Sequence, residues 1–303
     1  KMKNHKSIHR ISDNTLVAQA EAWLLHLRGR GISLRTIHGH RVSIRQLEKF
    51  LHREKRAGRV QEISARDLEA WQLELVGRKI KPSSIDSYLQ TAKQWFSWLE
   101  KNGTVFASPA RELRLPKNPR PMQFVPTVQQ VMQLLQSIPE NTPVRLRDRA
   151  LIETAYATAL RLSELAQMKV SSVDLGEGTV RVIGKGGKER IVPLTKAAVA
   201  ALGRYLSEAR PAMLHERLDR SSLWLSRDGN PLLRGSIREM LRVRGIAARV
   251  MISPHAFRRG CATHLLQAGA SVAIIKELLD HASYKHMGSY LRYAPEAVIA
   301  AHQ

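Results

Sequence analysis

Five places in the C-terminal half of the chain carry the polar side chains that a phosphate-transfer site needs. The first is Thr158-Ala159-Leu160-Arg161-Leu162-Ser163-Glu164-Leu165, where Ser163 is expected to cap a helix and leave Arg161 in the turn before it, facing whatever the positive helix end faces. The second is Gly184-Lys185-Gly186-Gly187-Lys188-Glu189-Arg190, a glycine-rich basic segment. It is not a Walker loop, because Glu189 rather than Ser or Thr follows Lys188 and a strand pattern comes next. The third is Ser253-Pro254-His255-Ala256-Phe257-Arg258, with Ser253 as N-cap and Pro254 as first helical residue. His255 and Arg258 then lie three apart on one face, expected exposed, opposite a buried stripe of Phe257, Cys261 and Leu265. The fourth and fifth are His281, after the apolar run Ile274, Ile275, Leu278 and Leu279, and Tyr290. Periodicity alone does not separate Tyr290 from Tyr284 or Tyr293. Each segment in isolation also reads as an ordinary surface cation, basic turn or packing histidine.

The chain of 303 residues carries 49 Lys and Arg against 26 Asp and Glu, a net charge of +23 that exceeds anything solubility requires. The natural partner is a polyanion. Aromatic residues are only 5%, which disfavours base stacking on single strands and leaves double-stranded DNA as the leading partner. A single cysteine, Cys261, forms no internal disulfide and starts no zinc cluster, so a reducing cytoplasm and no metal are expected. No apolar run approaches the ~18 residues of a membrane span, and residues 1–10 lack the apolar core of a signal peptide. No membrane association is expected.

The elements that must position these residues follow from apolar spacing. Four amphipathic helices fill the first hundred residues, with stripes at Leu16, Ala20, Trp23, Leu24 and Leu27; at Ile37, His40, Ile44, Leu47 and Leu51 after a cap at Ser33; at Leu68, Trp71 and Leu75 after Ser64; and at Ile85, Tyr88, Leu89, Ala92, Phe96 and Leu99, stopped by Gly103. Five prolines between Ser108 and Pro126, interleaved with Arg111, Arg114, Lys117 and Arg120, mark a semi-rigid basic linker. Beyond it, helical patterns give way at Thr179–Ile183 and Arg190–Pro193 to two short alternating runs joined by glycines. These predict a β-hairpin with Lys185 near its tip. The fold class is mainly α with a small antiparallel β-sheet (α+β). The expected domains are 1–107, helical; 108–126, linker; and 127–303, carrying the site.

Taken together and in order, these segments resemble the tyrosine recombinase, or phage integrase, family, most closely its Xer-like bacterial branch, which includes mobile-element recombinases. Tyr156 to Leu165 is similar to the first arginine box and Val182 to Arg190 to the lysine hairpin. Pro254 to Arg258 followed by Ala262 to Leu266 is similar to the second arginine box, and Glu277 to Ala282 with Tyr290 nine residues after His281 completes the pattern. Ala159 and Asp280 stand where glycine is usual, so re-shaped turns before Arg161 and His281 are expected. His286 and Met287 replace the usual threonines ahead of Tyr290.

The resemblance implies a site-specific recombinase that cleaves and rejoins duplex DNA through a 3′-phosphotyrosine, without cofactor, ATP or metal. Tyr290 is the nucleophile, Arg161, Arg258 and His281 meet the phosphate charge, and His255 assists with the phenol's proton. Lys185 protonates the leaving 5′-oxygen, and Glu164 supports the site from behind. It further implies a core-binding domain at residues 1–107 and a catalytic domain at 127–303 that form a C-shaped clamp on DNA. Four copies of the chain, or copies with a related recombinase, make the synapse, and a short C-terminal segment, Ala294 to Ala301, docks on a neighbour. Arg41, Arg45, Lys55, Arg56, Arg78, Lys79, Lys81 and Lys188 are candidate backbone contacts. The competing readings are a catalytically silent DNA-binding regulator, or a type IB-like topoisomerase or telomere resolvase. Integration, cointegrate resolution and dimer resolution share one active site, and the sequence does not separate them.

Overall fold

A computed structural model of the chain describes residues 15–56, 58–114, 123–184, 187–214 and 220–280. The chain divides into two compact units, Lys1–Pro121 and Met122–Gln303.

The first unit is helical: α1 (Leu16–Gly29), α2 (Leu34–Arg53), α3 (Ala65–Gly77) and α4 (Pro82–Lys101), with a 3₁₀ turn at Val60–Glu62. Side-chain oxygens of Thr15, Ser33 and Ser64 cap the first three, and Pro82 opens the fourth at the position where a missing N–H costs nothing. Leu16, Ala20, Trp23, Leu24, Ile37, Ile44, Leu47, Leu51, Leu68, Trp71, Leu75, Leu89, Phe96 and Leu99 bury together, as their spacing predicts. Gly103 adopts the left-handed conformation (φ +68°) that ends α4. Ala110 and Leu113, at the start of the proline-rich segment, pack into this core.

The second unit contains α5 (Val128–Gln136), α6 (Pro143–Thr158), α7 (Leu162–Ala166), β1 (Val173–Asp174), β2 (Thr179–Ile183), β3 (Glu189–Pro193), α8 (Lys196–Arg204), α9 (Arg210–Met213), α10 (Arg234–Ala247), α11 (Pro254–Gln267) and α12 (Val272–Leu278). A π-turn at Tyr205–Ala209 joins α8 to α9. The three strands form an antiparallel sheet in the order β1-β2-β3, with Val180 opposite Val192 and Ile183 opposite Glu189. Alternation buries Val180, Val182 and Val192 while Arg181, Ile183 and Ile191 face outward. Through the centre runs α6, burying Ala150, Leu151, Ile152 and Ala155. Asp148 on α6 accepts hydrogen bonds from Arg147 and, at 2.6 Å, from Arg244 on α10, while Arg147 also donates to the Leu225 carbonyl. These three charged groups are mutually satisfied inside the core. A smaller cluster of Ala159, Cys261, Ala262, Leu266, Ile275 and Leu279 joins α11 and α12 to the end of α6. Among the described residues no helix is long and apolar enough to cross a membrane.

Candidate active site

The site gathers where the end of α6 and the end of α12 meet the end of β2 at Gly184. At the first, Ala159 adopts φ +49°, ψ +28° and reverses the chain so that Arg161 precedes α7. Ser163 is not the cap; it lies inside α7. Arg161 occupies the extended cap position instead, and the first-turn acid Glu164 accepts from its backbone N–H at 3.0 Å. The acid three residues past the cap stabilises that end, whereas the serine hydroxyl lies two residues inside it.

Glu164 is buried and carries both neighbouring cations. Its carboxylate accepts from Arg161 Nη1 at 2.7 Å and from Arg190 Nη2 at 2.8 Å, so α7 and β3 are joined through one anion. Burial disfavours its charge, but the hydrogen bonds from Arg190 and Arg161 prevail and hold its carboxyl below the usual range. Arg190 was given no role by sequence reasoning. Its signal was the alternation of β3, which puts it on the same inward face as Val192.

Arg258 is buried, 6% exposed, and not on an exposed face as its place in the first turn of α11 suggested. Ser253 and Pro254 do open that helix, and Ala256, Phe257 and Cys261 pack inward with it. The guanidinium reaches across to two carbonyls from distant segments: Nη1 donates to Ala159 O at 2.7 Å and Nη2 to Leu279 O. Arg161 Nη2 approaches the same Leu279 carbonyl at 3.4 Å and donates to Asp280 O at 2.8 Å. Two guanidinium groups nearly a hundred residues apart thus converge on the end of α12, immediately before His281 in the chain.

Asp280 ends α12 with φ +48°, and its Oδ2 accepts from Arg161 Nη1 at 2.7 Å. Ala159 and Asp280 both adopt the left-handed backbone for which glycine is best suited. At Gly184, just past the end of β2, a Cβ would lie 3.1 Å from the side-chain tips Arg190 Nη1 and Asp280 Oδ2, so a larger residue would push those groups aside.

His255 is exposed at the start of α11. Partial burial, then the charges of Arg259, Arg258 and Arg238, lower its pKa below the ordinary imidazole value, which favours the neutral ring. His264, one face further on, accepts from or donates to the Tyr156 hydroxyl at 2.7 Å and bonds the Pro126 backbone. Lys185, His281, Tyr290, Tyr284, Tyr293, His286, Met287 and the segment Ala294 to Ala301 lie outside the described residues. Of the candidate DNA contacts, Arg45, Lys55, Lys79, Lys81 and Lys188 are exposed, while Arg41, Arg56 and Arg78 pair with Glu21, Asp67 and Glu74. Among the described residues no group of His, Cys, Asp and Glu is placed to hold a metal ion.

Residues 126–297 match the phage integrase family, and residues 20–103 match its N-terminal SAM-like domain. The chain is 32% identical over 257 residues to the tyrosine recombinase XerD of Listeria monocytogenes, covering 84% of this chain and 86% of the relative. It is 34% identical over 278 residues to the tyrosine recombinase XerC of Pelobacter propionicus, covering 91% and 90%. In fold it is similar to a XerH site-specific recombinase bound to a palindromic difH substrate, with a TM-score of 0.73 at 19% identity over 95% of this chain and 84% of that one. The Tn1549 transposon integrase in complex with circular intermediate DNA gives a TM-score of 0.73 at 19% identity over 93% and 95%. With the family match covering more than half of its length and such relatives spanning nearly all of it, the chain belongs to the phage integrase family of tyrosine recombinases.

Proposed function

We propose that the chain recombines duplex DNA at specific sites by nucleophilic attack of Tyr290. The observation that carries this reading is the convergence of Arg161 and Arg258 on the end of α12, one residue before His281. Forked guanidinium donors suit the non-bridging oxygens of a phosphodiester, whose charge grows as the pentavalent transition state forms. The Tyr290 phenol, with an ordinary pKa of about 10, needs cations nearby and a proton acceptor. A His255 ring kept neutral by its surroundings suits the acceptor's role. Oxygen of Tyr290 bonds to phosphorus, the P–O5′ bond breaks, and Lys185 gives the leaving oxygen its proton. The 3′-phosphotyrosine conserves the phosphodiester's energy, so a second strand's 5′-hydroxyl reverses the step without ATP.

In this reading residues 1–107 bind the duplex, 108–126 connect, and 127–303 hold the chemistry. Four copies assemble two sites into a synapse in the cytoplasm. Lys188 and the exposed cations of the first unit contact phosphates.

The test incubates wild type and Tyr290→Phe with supercoiled DNA from the host genome and its mobile elements, denatures, and sequences the DNA that stays attached. Attachment by wild type alone supports the proposal and reveals the target. Binding without attachment by either protein favours the silent regulator; attachment by both moves the nucleophile to Tyr284 or Tyr293; relaxation of any plasmid without site dependence favours the topoisomerase.

A further inference from the structure

Asp280 puts a carboxylate on the cations that the proposed reaction needs. Its Oδ2 lies 2.7 Å from Arg161 Nη1 and 4.0 Å from Arg190 Nη1. The contact is at the mouth of the site, with the Asp280 side chain 36% exposed, so a solute anion can reach the same guanidinium edge. The backbone gives no reason for an aspartate: at φ +48° glycine is the residue of least strain. A carboxylate oxygen and a phosphodiester oxygen use the same donors of an arginine fork. Only one can hold them.

We infer that Asp280 is a rate-setting residue, whose carboxylate occupies the seat on Arg161 that a phosphate oxygen takes and must turn away before DNA is held productively. The inference rests on the recombinase reading for its meaning, but the contest for Arg161 can be measured without DNA. Asp280→Asn keeps the shape and tolerates the left-handed backbone, and Asp280→Gly relaxes it, so both variants fold. Asp228→Asn, on an exposed loop, controls for net charge.

Binding of inorganic phosphate to the full chain is titrated calorimetrically at fixed ionic strength, and the component lost on Arg161→Ala is compared. Both Asp280 variants are expected to bind phosphate about two- to fivefold more tightly than wild type or Asp228→Asn, the range for release of one partly exposed ion pair. Single-turnover attachment to a DNA site should accelerate by a similar factor while affinity for the duplex stays unchanged. Equal phosphate binding in all four proteins, or none at Arg161 in any, overturns the inference. Attachment slowed in both Asp280 variants also overturns it, since Asp280 then supports Arg161 instead of competing for it. If no protein attaches DNA, the recombinase reading fails, and the phosphate titration still decides the contest for Arg161.

Discussion

Arg190 on β3 donates to Glu164 on α7 at 2.8 Å, tying the β2–β3 hairpin to the turn that holds Arg161. The register of a strand and the start of a helix are fixed by the same carboxylate. What happens to that carboxylate should therefore be felt in both elements.

Glu164→Gln keeps the shape but removes the charge between two cations. Breaking a paired carboxylate that is buried while its arginines are partly solvated should cost about 1–3 kcal/mol, less than for a fully buried pair. The carboxyl is held below its usual 4.5, so its contribution is full above that value and is lost as pH falls through the folded-state value. Wild type should lose stability below about pH 4.5 more steeply than Glu164→Gln; urea midpoints from pH 3 to 7 check it. Parallel curves would show that the charge contributes nothing.

Arg258→Lys should fail in two ways at once. An ammonium cannot span the carbonyls of Ala159 and Leu279 as the fork does, so stability should drop by about 2 kcal/mol and DNA attachment should fall well beyond what that loss explains. Denaturant melts beside attachment assays at a temperature where the variant stays folded separate the two losses.

Gly245 on α10 has no room for a side chain, because a Cβ there would lie 2.6 Å from the Val250 carbonyl and 2.9 Å from Ile252. Gly245→Ala gains helix propensity yet must push backbone aside, a net cost of about 1–3 kcal/mol. Thermal unfolding should show a lowered midpoint; an unchanged or raised one would mean that the 250–252 segment yields freely.

The Cys261 thiol, buried against α6, is pushed up to about 12 by burial, which Arg258 only partly opposes. At pH 8 it should not react with an aromatic disulfide reagent in the folded protein and should react at once in denaturant. Rapid labelling of the native chain would reveal frequent opening of α11.

The helices of the first unit were legible because their apolar residues recur at helical spacing and little else constrains them: Trp23, Leu47, Trp71 and Leu99 all bury where that period places them. The hairpin was legible from its alternation and glycines, one residue short at Glu189. Arg258 was misread as exposed because helix position says which face a residue occupies, not what lies against it; the carbonyls that bury it come from 99 and 21 residues away. Ser163 was misread as a cap because local rules favour a hydroxyl, whereas Glu164 and the left-handed Ala159 set the cap two residues earlier, at Arg161. The tie between Asp280 and Arg161 joins positions 119 apart, and nothing local announces it.

The inward reach of Arg258 bears on how this fold ages once its chemistry is no longer selected. A side chain that fastens two turns will be retained by selection for foldability alone, long after any substrate has ceased to matter. Arg161 is held in the same way, by buried Glu164 and by the Asp280 carboxylate and carbonyl. Among descendants of such a chain, both arginines should therefore outlast the chemistry. A surviving pair of arginines is a mark of ancestry, not of activity.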